Sequence, residues 1–290
     1  MKAAPFWRLE MVEPRSFLRH ASRHVLAAGA ALCLALVLGG CAARPDTGAS
    51  TAAALAPEAN PSSEAAELRR RARIRLELAA NYLEMGQTQV ALEEVQQAIF
   101  TDPSFGDGYN LRGLVFMRLG DWPSADDSFR RALDLNPQEP YLLHNYGWLR
   151  CQQKNYAEAE RFFDRALAVP SYTARAKTLM TQGLCQERAG QVAEAEKTLA
   201  KAYELDAGNP VVGYNLASMA FRRGDAKRAQ FYSRRLNNSE LANAESLWLG
   251  IKIERALGNA LEMRQLGEQL HKRFPDSKEV LAFDRGAFNE

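Results

Sequence analysis

The chain is poor in the residues from which catalytic and metal sites are built. Of 290 residues only four are histidine and four are cysteine. Beyond residue 40 the histidines are His144 and His271, which fall in different units of the repeat described below, so neither a metal site nor a histidine-based triad is expected. A glycine-rich phosphate loop is missing. Charge of one sign is missing too, the net charge being +2. Residues 1–40 carry Lys2, Arg8, Arg15, Arg19 and Arg23 against Glu10 and Glu13, which leaves about −1 on the rest. No positive field of the kind that collects nucleic acid is therefore present. The apolar run Val25 to Leu38 falls short of the roughly 20 residues that span a bilayer. These absences argue against an enzyme, a cofactor, a small-molecule substrate and a nucleic-acid partner.

What stands at the start is a short apolar run with cationic and small-residue flanks. Arg15, Arg19 and Arg23 precede Val25–Leu38, and Gly39 and Gly40 follow. That order is a secretory signal over residues 1–40, with Met11 as an alternative start because Met1–Pro14 is long and mixed. The end of the run, Leu38-Gly39-Gly40-Cys41, resembles the lipobox of bacterial lipoproteins. The resemblance implies cleavage before Cys41, diacylation of its thiol and acylation of the new amino terminus. With Ala42 rather than Asp next in line, it implies the periplasmic face of the outer membrane. Several acyl chains hold a protein stably, where one holds it marginally. Residues 41–64 then read as the acylated cysteine and a tether of Ala, Pro, Ser, Thr and Gly, too apolar-poor to fold. About 22 such residues have an r.m.s. span of roughly 25 Å.

The remainder, 65–290, is governed by one period. Ala91, Ala125 and Ala159 are 34 apart, as are Ala98, Ala132 and Ala166, Pro103 and Pro137, and Gly86 and Gly120. After a two-residue insertion near Pro170-Ser171, Ala195 and Ala229 resume the spacing. Tyr109, Gly113, Phe116, Gly120-Asp121, Ala125, Phe129, Ala132 and Pro137 resemble the tetratricopeptide consensus position by position. Small residues let two helices approach, large ones fill the space between them, Gly-Asp turns the chain and Pro ends the second helix. The expected fold is all-α: a right-handed superhelical solenoid of about six helix pairs, near 72–105, 106–139, 140–175, 176–209, 210–243 and 244–277. A capping helix is expected after Asp276, with Asp276 and Glu279 at capping-box spacing and Val280, Leu281 and Phe283 covering the end.

In proteins of this type the concave groove is lined from the first helix of each pair. Carried over by register, the candidate partner-binding residues are Leu76, Asn110, Leu114, Met117, Tyr141, His144, Trp148, Met180, Tyr214 and Phe221. The Lys/Asn carboxylate clamp that captures chaperone tails is absent, since Leu76 and Leu114 stand in that register. Aromatic and Met side chains suit an apolar peptide or helix instead. Packing between first helices accounts for the leucines better than the groove does, whereas Trp148, Tyr141 and Tyr214 favour the groove. Cys151 and Cys185 lie on first helices of adjacent units but at different consensus positions, which argues for two buried thiols rather than a bond.

Several runs resemble the type IV pilus biogenesis and stability lipoproteins of the PilF/PilW type. They are Ala79–Gly86, Asn145-Tyr146-Gly147-Trp148-Leu149, Ala159–Leu167, Trp248–Asn259 and the closing Arg273-Phe274-Pro275-Asp276-Ser277. The resemblance covers the chain beyond about residue 68. It implies a pilotin: an outer-membrane lipoprotein that binds the type IV pilus secretin subunit and promotes its localisation and multimerisation for pilus biogenesis. A general envelope scaffold, in outer-membrane protein assembly or control of peptidoglycan synthesis, is the alternative.

Overall fold

The computed structural model describes residues 61–288. The signal segment, Cys41 and most of the tether lie outside the described residues. Among those described there are thirteen helices and no strand, and no helix is long and apolar enough to cross a membrane. The chain divides into two compact units at Asp102.

The first unit holds α1 (Pro61–Glu84) and α2 (Thr88–Thr101), packed as an antiparallel pair. The helix starts inside the segment read as tether, because Ala65-Ala66-Glu67-Leu68-Arg69 are all good helix formers. Ala72, Ala79 and Leu83 of α1 and Ala91, Val95 and Ala98 of α2 keep almost no exposed surface. Alanine at those positions lets the two backbones close up. Arg69 pairs with Asp102, and Arg75 reaches Glu94 at 2.9 Å.

The second unit holds five further pairs: α3 (Gly106–Leu119) with α4 (Trp122–Leu135), α5 (Pro140–Gln152) with α6 (Tyr156–Leu167), α7 (Arg175–Arg188) with α8 (Val192–Leu205), α9 (Pro210–Arg222) with α10 (Ala226–Asn237), and α11 (Ala244–Ala256) with α12 (Ala260–Arg273). Each second helix packs on the next first helix, and neighbouring first helices also touch, as α3 with α5 and α5 with α7. The closing helix α13 (Lys278–Asp284) lies against α11 and α12.

Within a pair, size is balanced at one crossing. A Cβ added at Gly113 would stand 2.7 Å from the Phe129 ring, at Gly147 2.9 Å from Phe163, and at Gly183 2.7 Å from Leu199. Glycine on the first helix is thus what lets a large side chain on the second be fully buried. The turn within each pair is equally regular: Gly86, Gly120, Gly190, Gly224 and Gly258 all have φ between 75 and 86°, the left-handed region. In the third pair the same place is held by Lys154, at φ 63°.

The end of the array departs from expectation in two details. The side chain that caps α13 is Ser277, which accepts from Val280 N, and not Asp276. Val280 is buried and Phe283 packs on the Trp248, Ile251 and Leu270 cluster, whereas Leu281 faces solvent at 58 % exposure. With the cap at Ser277, Leu281 is turned onto the outer face of this two-turn helix.

Candidate partner-binding surface

The ten groove candidates all lie on first helices, and none is fully exposed. Leu76 belongs to the first unit, where it is half-buried on α1. In the second unit Met117, His144, Trp148 and Met180 are buried, while Asn110, Leu114, Tyr141, Tyr214 and Phe221 are half-buried. Trp148 keeps only 8 % of its surface, with the Arg188 guanidinium 5.0 Å from its ring centroid. A large part of the expected groove is therefore packing between adjacent first helices. The surface left accessible is made of edges and faces of Leu114, Tyr141, Tyr214 and Phe221, with Asn110 hydrogen-bonded through its Oδ1 to Asn145 Nδ2 at 3.0 Å.

His144 shows why packing claims part of this face. Its Nδ1 lies 2.8 Å from Thr178 Oγ1 on α7. Burial, reinforced by the Lys177 charge, pushes its pKa down to about 3, so the imidazole is neutral at any physiological pH. Thr178 Oγ1 is also 2.7 Å from the Tyr172 hydroxyl, and Tyr172 stands edge-on to Tyr141 with centroids 5.1 Å apart. Tyr141 reaches Thr173 at 2.9 Å. Tyr172 and Thr173 follow directly on the Pro170-Ser171 insertion. That insertion supplies a buried tyrosine which, with Leu143 and Ala166, fills the space between α5, α6 and α7.

The two cysteines are joined. Cys151 and Cys185 form a disulfide with Cα atoms 5.9 Å apart, which corrects the expectation of free thiols. Their consensus positions differ because adjacent first helices pack with a stagger, so residues in contact are not residues in equal register. The bond ties α5 to α7 beside Trp148. Arg150 is the second link. It pairs with Asp126 of α4 at 2.6 Å and Glu158 at 3.1 Å, and lies 4.5 Å over the Tyr146 ring. An Arg over a tyrosine thus keeps the apolar contact and adds an ion pair between pairs of helices.

The sixth unit presents groove positions that the sequence reading left out: Glu245, Trp248, Lys252 and Arg255. Extending the same register by one repeat locates them. No group of His, Cys, Asp or Glu suited to a metal ion is found among the described residues.

Comparison with known proteins agrees with this architecture. The tetratricopeptide repeat family matches residues 76–140, 110–176 and 147–210. The type IV pilus assembly protein PilF of Pseudomonas aeruginosa is 26% identical over 208 residues, 72% of this chain and 82% of PilF. In structure, PilW, described as a widely conserved type IV pilus biogenesis factor, superposes with a TM-score of 0.65 at 29% identity, over 73% of this chain and 97% of PilW. The Pseudomonas aeruginosa PilF structure superposes with a TM-score of 0.67 at 26% identity, over 77% and 99%.

Proposed function

We propose that this chain, a tetratricopeptide-repeat protein homologous to PilF and similar in fold to PilW, serves type IV pilus biogenesis as a lipid-anchored scaffold. The observation that carries the reading is the extent of the similarity to PilF, which takes in 72% of this chain and 82% of that protein. In this reading the partner is the type IV pilus secretin subunit, and the address is the periplasmic face of the outer membrane, through acyl chains on Cys41. The work is physical and not catalytic. The first-helix side holds an apolar segment of the secretin until the subunits assemble. The anchor confines carrier and cargo to one surface, which raises their effective concentration without any new contact. The Cys151–Cys185 disulfide and the hydrogen bonds around Thr178 fix α5 against α7. A surface held rigid before binding loses less entropy on binding.

Deletion of the gene tests this. The expected result is loss of detergent-resistant secretin multimers, with monomer retained, and loss of pili. Re-expression with Cys41→Ala is expected to leave the protein folded and the multimers missing or misplaced. Normal multimers and normal piliation after deletion would overturn the reading in favour of a general envelope scaffold.

A further inference from the structure

The sixth unit carries two cations that nothing in the described residues neutralises. Lys252 and Arg255 lie one turn apart on α11, at groove positions. The two carboxylates of the same helix are engaged elsewhere: Glu245 faces Lys278 at 3.8 Å, and Glu254 faces Arg234 at 2.9 Å. Arg222, at the matching end of α9, is paired with Glu187 at 2.5 Å. No carboxylate among the described residues pairs with Lys252 or Arg255. What they touch is aromatic. The Lys252 ammonium is 5.5 Å from the Trp248 ring centroid, and the Arg255 guanidinium 4.3 Å from that of Phe288. Trp248 and Phe288 stack with centroids 5.4 Å apart and planes at 23°. Lys252 is half-buried, and burial alone draws its pKa below the usual lysine value, as befits an ammonium that has lost water without gaining a counter-ion. Cation–π contact offsets only part of that loss.

We propose that Lys252 and Arg255, walled by Trp248 and Phe288, form a subsite for an acidic side chain of the partner segment, a carboxylate adjoining an apolar residue. This rests on the scaffold reading above and adds a chemical requirement to it: the segment held on the first-helix side is acidic as well as apolar. An incoming carboxylate meets a planar guanidinium able to bind it through two N–H groups and an ammonium already partly stripped of water, while its apolar neighbour packs on the accessible part of half-buried Phe288, Trp248 itself being buried.

The test uses two short acetylated peptide amides, one with two glutamates between phenylalanines and one with glutamines in their place, titrated into the full chain by calorimetry. The expected result is a tenfold or greater preference for the glutamate peptide, shrinking as salt rises. That preference should vanish in Lys252→Met/Arg255→Gln, with thermal unfolding unchanged. If the double variant fails to fold, Lys252→Gln alone is expected to cut the preference by more than half. Equal binding of the two peptides, or a preference that survives in a folded variant, overturns the subsite. So does concentration-dependent dimerisation abolished by the same substitutions, which would make a second copy of this chain the occupant. The pilus reading is judged separately by the gene deletion: normal secretin multimers there would sink that reading and leave the peptide comparison standing.

Discussion

Lys154→Gly is expected to stabilise this protein. Five of the six intra-pair turns have glycine at the left-handed position, and the sixth has Lys154 at φ 63°. A side chain there costs roughly 1–2 kcal/mol from the contact of Cβ with the following carbonyl. Glycine removes that cost but loses about 0.5–1 kcal/mol to the greater freedom of the unfolded chain. The net gain is about 0.5–1 kcal/mol, or about 2 °C in Tm for an array of this size. Little is lost with the side chain. Lys154 is exposed, and the turn's hydrogen bond comes from its backbone N to Cys151 O at 3.0 Å, which glycine keeps. Urea unfolding at constant m, with hydrogen exchange of the α5–α6 turn, reads the effect locally. Gly120→Lys is the mirror control and should lose about 0.5–1 kcal/mol, because an added Cβ meets no atom within 4 Å and only the backbone is affected. A Lys154→Gly variant that is neutral or less stable, beside a destabilised Gly120→Lys, would refute the reasoning.

Breaking the disulfide by Cys151→Ala/Cys185→Ala opens a loop of sequence separation 34 and is expected to cost about 3–4 kcal/mol, read as the gap between the urea unfolding curves of the oxidised protein and the variant. Gly147→Ala is expected to cost about 1–3 kcal/mol by driving a methyl into Phe163 and the Ala159 carbonyl; Phe163→Leu in the same chain should recover part of it, as thermal unfolding would show. His271 donates from both ring nitrogens, to Gly267 O and to Asp284 Oδ1 of α13 at 2.8 Å each, so the protonated form is favoured and its pKa is raised, the Gly267 bond first and Asp284 adding to it. Its contribution is therefore complete below about pH 6.5 and lost as pH rises through the folded value; protection of α13 amides should fall over that range, and Asp284→Asn should flatten the dependence. Glu254 has the opposite sign. Burial opposes its charge, but hydrogen bonds from Arg234, Asn259 and Gln230 prevail and its pKa is lowered, so the stability gap between the protein and Glu254→Gln should be present above about pH 4.5 and close as pH falls through the folded value.

How much of this was legible depends on whether a feature repeats. The helix pairs were, because the glycines and alanines that permit close approach recur at one spacing, and spacing survives when identities drift. The disulfide was not, because contact between first helices follows a stagger and not equal register, and no period records a stagger. Lys154 was invisible for the opposite reason: a turn is recognised by the residue that tolerates it, and here the backbone turns without one. The candidate binding residues show a third limit. Register says which side of a helix a residue occupies, yet the depth to which neighbours cover it depends on how closely the first helices approach. Trp148 and His144 fall on the expected side and are nonetheless claimed by Arg188 and Thr178.

The sixth unit departs from the pattern of the inner pairs in that its size relation is inverted. In the second to fourth units a first-helix glycine faces a second-helix Phe129, Phe163 or Leu199. At the equivalent places the sixth unit has Ile251 on α11, fully buried, and Gly267 on α12. The glycine has changed helices. A Cβ at Gly267 would run into the ring of Phe283, so the space it vacates is filled from α13 and not from α11. The bulk that an inner pair keeps within itself is here supplied by the closing helix. The same inversion brings the segment after α13 back along the first-helix side, where Phe288 covers Trp248 beside Lys252 and Arg255. Departure from the consensus in this unit is therefore a consequence of ending the stack, and the step that ends the stack also builds the aromatic wall of the cationic subsite.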